Sequence, residues 1–305
     1  MSGMHPWIQR LGRLNVSRSK AKGPAPNKPL LVLAILDLAE DGLIPADGTV
    51  ARDAQLNLRF REYSPICAAR RGNRIDLDLP WEHLASDGLY VKGVRPSFPP
   101  KTGNDGLTPS VKLDTEFHRA IQDPAFRLAA RKVLIAAYFP PDEQVALYAA
   151  CGITPPSSEE IAKVREDQDL YRAQVRKGRS ARFAAQVISG HAFTCALTGY
   201  RLTTAGSFNL LEAAHIQAHA KHGPDEPENG LALTPTAHEL FDAGLWTIDA
   251  SLRVVIAREA FHETLLPDSP HFSLRALHGR PLFLAGRLRP AEPYLAWHRT
   301  TAFAG

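Results

Sequence analysis

The sequence predicts an α+β protein of two domains, with a mainly helical N-terminal half and a C-terminal module of strand, loop, strand and helix. Its 305 residues exceed what one compact core usually holds. The first half carries apolar runs at helical spacing, whereas strand and turn signals alternate through the last third. We therefore expect domains at residues 1–151 and 185–305, separated by a linker and a basic helix at 152–184.

The clearest helix of the first half is expected at Lys28–Glu40, where a continuous apolar run has Pro29 near its start and Gly42 after its end. The other elements expected in this half are helical stretches at Ala51–Ala69, Asp114–Ala137 and Glu143–Ala150, extended segments at Arg74–Leu79 and Leu89–Val94, and a loop at 95–108. A linker is predicted at Gly152–Ser158, because this stretch is rich in Gly, Pro and Ser.

A long polar helix is predicted at Glu159–Ser189. Arg172, Arg176 and Arg179 follow one another at spacings of four and three, which places them on one helix face. This face suits secondary contacts with a DNA duplex, and a solvated linker helix is an equally open interpretation.

Positive charge is unevenly distributed. The net charge is only +4, yet Met1–Leu36 contains six Lys or Arg residues and no acidic ones. Two further clusters lie at Arg59–Arg74 and Arg172–Arg182. Local positive fields of this kind suit a polyanion such as DNA, although each cluster by itself is also compatible with a solvated face.

Several classes of protein are disfavoured by composition. The chain has no apolar run long enough for a membrane span, and its first residues lack the apolar core of a signal peptide. Its three cysteines form no C-x-x-C pair, so we expect a reduced, cytoplasmic protein without a structural zinc site.

The C-terminal module carries the chemistry. A first strand at Leu210–Ile216 contains His215, and a turn at Asn229–Gly230 leads into a second strand at 231–233. A helix that begins at Pro235 contains His238 and is closed by Gly244. A hairpin of strands 245–248 and 252–256 should pack on this module. A histidine that accepts a proton from water, beside a histidine that ligates a divalent metal, is suited to phosphodiester hydrolysis.

Four motifs in this module carry a resemblance. They read C-x-x-T-G, A-A-H-I, N-G-L-x-L and H-x-L-F-D, in that order. In this respect the segment resembles the HNH nucleases, whose fold is a ββα-metal module. The resemblance implies His215 as the general base, Asn229 as its structural partner and His238 as a metal ligand, with Mg²⁺ or Mn²⁺ as the cofactor.

The remaining metal ligands are not specified by the motifs. Many HNH sites have Asp or His directly before the base, where this chain has Ala214. Glu212 is the nearest carboxylate, but in a regular strand it points away from the face of His215, so it would serve only if the strand were irregular. Asp242, one turn after His238, is a further candidate. Cys195 stands alone and is expected to be a packed core residue.

The N-terminal half carries a second resemblance, on the motifs P-N-K-P-L-L-V-L at Pro26–Leu33, E-Y-x-x-I at Glu62–Ile66 and L-P-W-E-H-L-x-S-D-G-L-Y at Leu79–Tyr90. These motifs resemble the sulfur-binding domains that are fused to HNH modules in modification-dependent, type IV-like restriction endonucleases. The closing P-x-L-A-W-H-R, at Pro293–Arg299, also looks like the end of that family. The resemblance implies a DNA-recognition domain for phosphorothioate DNA, in which sulfur replaces a non-bridging backbone oxygen.

An apolar pocket with a cationic rim would favour sulfur, which is larger and less well hydrated than oxygen, while it holds the phosphate charge. Pro80 is the candidate pocket wall, with Leu79 and His83 beside it. The residues expected at the rim are Lys28, Arg70, Arg71 and Arg74. Without the resemblance, Pro80 and Trp81 would be interpreted as a packed turn of the core.

Two other functions remain open from the sequence. An HNH nuclease that reads a methylated base would need aromatic side chains to stack on a flipped base, and this half offers Trp7, Tyr63, Trp81 and Tyr90. A non-catalytic DNA-binding protein with a degenerate HNH fold is favoured only by Ala214. Because one HNH site cuts one strand, a homodimer is a reasonable expectation for double-strand cleavage.

Overall fold

The computed structural model describes residues 5–20, 23–68, 77–91, 110–154, 168–202, 210–264 and 273–305. The helices are α1 (Pro6–Leu11), α2 (Asn27–Glu40), α3 (Ala54–Tyr63), α4 (Asp78–His83), α5 (Thr115–Ala120), α6 (Pro124–Tyr138), α7 (Pro141–Ala150), α8 (Gln168–Gly190), α9 (Pro235–Asp242) and α10 (Glu292–Thr301). Antiparallel pairs join β1 (Arg18–Ser19) to β2 (Gly23–Pro24), β3 (Thr49–Ala51) to β4 (Ser110–Lys112), β5 (Glu212–His215) to β6 (Gly230–Leu233), and β7 (Trp246–Ile248) to β8 (Val254–Ile256). The predicted α+β class is confirmed.

The chain divides into two compact units, one ending at Arg182 and the other beginning at Phe183. The division falls inside α8, whereas the sequence placed the last domain at residues 185–305. These functional boundaries stay a prediction, and most of the expected linker at Gly152–Ser158 lies outside the described residues. None of the described helices has the length and apolar character that a bilayer crossing requires.

The core of the first unit is built around α2. Residues 30–36 are all buried, because α3, α4 and α6 pack against this helix. Gly42 adopts a left-handed conformation (φ +66°), and Leu43 N donates to Leu38 O, which closes the helix in the way that its sequence predicts. The apolar run therefore forms a helix that is buried on several sides rather than an amphipathic one.

Two predicted elements of the first unit are wrong in part. The stretch Arg74–Leu79 was expected to be extended, yet α4 begins at Asp78, and residues 74–76 lie outside the described part. The alternating apolar pattern is misleading here, because Leu77 and Trp81, one helical turn apart, are both buried while Leu79 is 50% exposed. In the segment expected as a strand at Leu89–Val94, Tyr90 forms only an isolated bridge to Leu113, and residues 92–94 are not described.

The single helix predicted at Asp114–Ala137 is also wrong, because it consists of α5 and α6. Asp123 caps α6 by accepting a hydrogen bond from Ala125 N, and Pro124 is the first helical residue. Proline has no N–H and clashes with the preceding turn, so it starts a helix but does not continue one. The predicted helices around Phe60 and at Glu143–Ala150 are present as α3 and α7.

The second unit positions the catalytic module. α9 packs against β5, β6 and β7, and Trp246 Nε1 donates to Ala237 O at 3.0 Å, which seats the helix on the second hairpin. On α10, His298 stacks on Phe241 and hydrogen-bonds to Thr247 at 2.8 Å. The hairpin that the sequence predicts after Gly244 is formed by β7 and β8.

Candidate active site

The two strands and the helix of the module present the three predicted residues. His215 ends β5 and pairs with Gly230, the first residue of β6. Asn229 immediately precedes β6 at the end of a short 3₁₀ turn. His238 lies on α9, which starts at Pro235 because Thr234 caps it by accepting from Ala237 N. The expected order of strand, loop, strand and helix is therefore present.

His215 forms a pair with Asp225. Its Nε2 lies 2.9 Å from Asp225 Oδ1, and because an ionised carboxylate only accepts, Nε2 carries the proton and Nδ1 keeps its lone pair. Its ring also stacks on Phe183, with centroids 4.0 Å apart and planes 10° apart. Burial lowers the pKa of His215, although Asp225 opposes this effect. The neutral imidazole that a general base requires is thereby favoured at neutral pH.

The side chain of Asn229 connects two parts of the loop between β5 and β6 by hydrogen bonds. The side chain is fully buried and accepts a hydrogen bond from Gln217 N at 2.8 Å. It donates to Gln217 O at 3.1 Å and to Pro224 O at 2.9 Å. Asn229 thus pins the loop that carries Asp225, and its amide makes no hydrogen bond to His215 among the described contacts.

His238 lies between two carboxylates. Its Nδ1 is 2.8 Å from Glu212 Oε2, and its Nε2 is 3.5 Å from Asp242 Oδ2. β5 pairs with β6 without a bulge, and from this regular strand Glu212 contacts His238. Its role as a metal ligand stays a prediction. Because the two carboxylates contact different ring nitrogens, one ion cannot take all three side chains as ligands in these rotamers. His238 with Glu212 provides the mixed imidazole and carboxylate donor set that a divalent metal accepts.

A second group of potential metal ligands surrounds His215 itself. Ligand atoms of His215, His219 and Asp225 all lie within 4.8 Å of one another. His219 Nδ1 is 3.1 Å from Gly223 O, so it donates there and keeps Nε2 available. The motifs of the sequence assign no role to His219 or Asp225. The fold brings them to His215 through a tight turn in which His222 has a positive φ of 64°.

Two other positions of the module are structural. Ala214, where many HNH sites carry a ligand, is buried and pairs with Leu231. Cys195 is buried as predicted, and its Sγ accepts from Thr234 N at 3.4 Å. It therefore helps to fix the residue that caps α9.

In the first unit, residues from two N-terminal motifs line one cavity of about 440 Å³. Its walls are formed by Asn15, Val16, Ser17, Ala25, Asn27, Lys28, Leu79, Pro80, His83 and Ser86. Four predicted binding residues therefore meet: Lys28, Leu79, Pro80 and His83. Arg70, Arg71 and Arg74 lie outside the described residues.

Lys28 is more constrained than a simple rim cation. Its ammonium donates to Asn15 O at 2.7 Å and to Asp87 Oδ2 at 2.6 Å, and the side chain is mostly buried. Much of its charge is therefore offset by Asp87. Pro80 is buried in α4 beside Trp81, so it is both a packed core residue and a wall of the cavity.

The predicted basic face of α8 is exposed at all three of Arg172, Arg176 and Arg179. Gly178 lies against α7, where an added Cβ would be 2.8 Å from Ala149 Cβ. The part of α8 that belongs to the first unit therefore packs against α7 at this small residue.

The antiparallel hairpin, the loop held by Asn229 and the helix, with a histidine on the hairpin and another on the helix, form the arrangement that the sequence motifs predict for a ββα module. Residues 195–249 match the family described as HNH endonuclease. These residues therefore form an HNH endonuclease domain.

Outside the HNH segment, the chain has little similarity to known proteins that extends over its whole length. No curated protein matches the chain. Among solved structures, one titled "Modification dependent TagI restriction endonuclease" matches 41% of this chain and 38% of its own length, at 23% identity and a TM-score of 0.29. The chain thus spans well under half of that protein, and the TM-score is too low to establish a shared fold.

Proposed function

We propose that the protein is a restriction endonuclease that recognises phosphorothioate-modified DNA through its first unit and cleaves nearby with its HNH domain. The observation that carries the proposal is the cavity at which Lys28, Leu79, Pro80 and His83 meet. These residues come from two motifs far apart in the sequence that resemble sulfur-binding domains.

The chemistry of the cavity suits a modified phosphate. Val16, Leu79 and Pro80 give it apolar walls, and sulfur gains more than oxygen from leaving water for such walls. Asn27 and His83 add polar groups that can hold the remaining phosphate oxygens. Lys28 contributes an ammonium whose hydrogen bond to Asp87 fixes its position. Arg70, Arg71 and Arg74 are proposed as further phosphate contacts at the rim.

A pocket for a flipped base is less well supported. Such a pocket needs aromatic side chains for stacking. Trp7, Tyr63, Trp81 and Tyr90 are all buried in the core of the first unit, and the described wall of the cavity contains no Phe, Tyr or Trp. A methylated base therefore fits the first unit less well than a modified backbone.

In the proposed reaction, His215 Nδ1 accepts a proton from the attacking water while Nε2–H remains hydrogen-bonded to Asp225. The water oxygen bonds to phosphorus, and the bond from phosphorus to the 3′ oxygen breaks. His238 and Glu212 would hold a divalent metal, Mg²⁺ or Mn²⁺, with Asp242 as an alternative partner of His238. When bound, the metal stabilises the charge on the pentacoordinate phosphate and the leaving oxygen.

The experiment compares cleavage of two duplexes that differ only in one stereodefined phosphorothioate, in Mg²⁺ and in Mn²⁺, with His215→Ala as the inactive control. We expect cleavage of the modified duplex alone. Equal cleavage of both duplexes would support the endonuclease activity and reject the proposed recognition of the phosphorothioate. Binding without cleavage in either metal would instead indicate a degenerate site.

A matched pair of variants tests the cavity itself. Leu79 and Leu43 are both exposed leucines of the first unit, at 50% and 45%, but only Leu79 lines the cavity. Loss of apolar contact in Leu79→Ser should weaken binding of the modified duplex roughly three- to tenfold, and Leu43→Ser should not. Equal affinities for the two variants would reject the sulfur pocket. The oligomeric state on the duplex, measured in the same binding experiment, tests the proposed homodimer.

A further inference from the structure

We propose that Phe183 is a positioning residue of the endonuclease, which holds the imidazole of His215 in the one plane where Nε2 meets Asp225 and Nδ1 faces the water. The inference rests on the proposed role of His215 as the general base. Phe183 lies on α8, before the segment 195–249 that matches the HNH family, and the family match therefore assigns it nothing.

The contact is close and well supported by packing. Phe183 is 2% exposed, and its ring lies parallel to the His215 ring at 4.0 Å. A hydrogen bond to Asp225 leaves the imidazole free to tilt about the line joining the two partners. A flat ring against one face removes this freedom, so the lone pair of Nδ1, which lies in the plane of the imidazole, points in a fixed direction.

Gly230 makes the approach of Phe183 possible. A Cβ at this position would lie 2.9 Å from Phe183 Cζ and would also clash with Val187. Gly230 pairs with His215 across the hairpin, so the residue that positions the backbone of His215 also admits the ring that stacks on its side chain.

A second stacked pair in the same unit shows what a purely structural stack looks like. Phe241 and His298 have ring centroids 3.8 Å apart and planes 6° apart. Both nitrogens of His298 are engaged, Nδ1 with Thr247 and Nε2 with Phe241 O. By contrast, within the described part of the chain only Nε2 of His215 has a hydrogen-bond partner, and Nδ1 is left for chemistry.

The test measures single-turnover cleavage of the modified and unmodified duplexes by Phe183→Leu and by Val187→Ala as its matched control. Val187 is a buried residue of the same helix that also contacts position 230 but does not stack on His215. We expect Phe183→Leu to lower the cleavage rate about ten- to hundredfold at unchanged DNA affinity, as misplacement of a catalytic group does. Val187→Ala should lower the thermal midpoint with little effect on the rate.

Exogenous imidazole separates positioning from a general loss of structure. In His215→Gly, added imidazole should restore part of the cleavage, and Phe183→Leu in that background should raise the imidazole concentration needed for half of the rescue. If Phe183→Leu cleaves at the parent rate, or if its loss is the same as that of Val187→Ala, the proposal for Phe183 is wrong while the base remains. If His215→Gly cleaves at the parent rate without imidazole, the base assignment fails, and the proposal for Phe183 fails with it.

Discussion

Asp225 accepts a hydrogen bond of 2.9 Å from Nε2 of His215, although the two lie ten positions apart in the chain, with the left-handed residue His222 between them. The pairing fixes which nitrogen of the imidazole carries the proton. It also places Asp225 in a group with His219 that has the spacing of metal ligands. Orientation of the base and ligation of an ion by Asp225 have different measurable consequences.

We expect Asp225→Asn to lower kcat about 10- to 100-fold, because the carboxylate no longer fixes the tautomer of His215. If Asp225 only orients the base, the Mg²⁺ or Mn²⁺ concentration at half-maximal rate stays unchanged. A metal titration of both proteins checks this expectation. A large increase in that concentration would instead assign the ion to the group of His215, His219 and Asp225.

The complementary change is Glu212→Gln. Glu212 is 52% exposed and contacts His238 at 2.8 Å, so the substitution should not disturb folding but should weaken binding of the ion. We expect about 10- to 100-fold more metal to be required for half-maximal cleavage. Glu239→Gln, at an exposed position of α9, is the control and should leave the titration curve where it is. Superimposable curves for the two variants would remove Glu212 from the ligand set.

Asn229 should be needed for stability as well as for cleavage. In Asn229→Ala the partly buried backbone groups of Gln217 and Pro224 lose three hydrogen bonds, each worth about 0.5–1.5 kcal/mol. We expect the free energy of unfolding of the second unit to fall by about 2–4 kcal/mol. Denaturant titration followed by Trp fluorescence checks this. Asn229→Asp, which keeps the acceptor but loses both donors, should also be destabilised, and a parent-like midpoint for both variants would contradict the pinning role.

Acid should destabilise the second unit through His298. Burial lowers the pKa of His298 from its ordinary value of 6.5 to about 4. Between these values the unfolded chain binds a proton that the folded chain does not, so the free energy of unfolding falls as the pH drops from 6.5 towards 4. The change amounts to about 3 kcal/mol at about 1.4 kcal/mol per pH unit, and it is absent above pH 7.

Denaturant midpoints measured across this pH range check the expectation. His298→Gln should flatten the acid dependence, whereas His262→Gln, at an exposed position of the same unit, should not. Parallel pH profiles for the parent and His298→Gln would show that other groups cause the acid sensitivity.

The parts that the sequence predicts well are local in the chain. Pro29 and Gly42 mark the ends of α2, and Thr234 with Pro235 marks the start of α9, because capping depends on neighbouring residues. The motifs around His215 and His238 likewise predict the hairpin and the helix. Even so, Pro124 divides a helix that the apolar pattern alone makes continuous.

The features of the fold and the site that the sequence does not predict depend on contacts between residues far apart in the chain. Nothing near Phe183 indicates that its ring meets His215, and nothing near Asp225 indicates its partner. The contact of Glu212 with His238 spans 26 positions and depends on how α9 packs against the hairpin. At the start of α4 apolar and polar residues alternate, which is typical of a strand. The segment is nevertheless helical, because Leu77 and Trp81, four residues apart, are both buried.

Gly230 has a backbone conformation (φ −129°, ψ 145°) that any amino acid can adopt. The glycine of the N-G-L motif is therefore required by its neighbours and not by its own torsion angles. Other chains can share the hairpin but differ in the preceding helix. In those chains, a residue other than glycine at this position would indicate that no aromatic ring stacks on the catalytic histidine. The identity of this one residue can thus indicate, from sequence alone, whether a helix places an aromatic ring against the catalytic histidine.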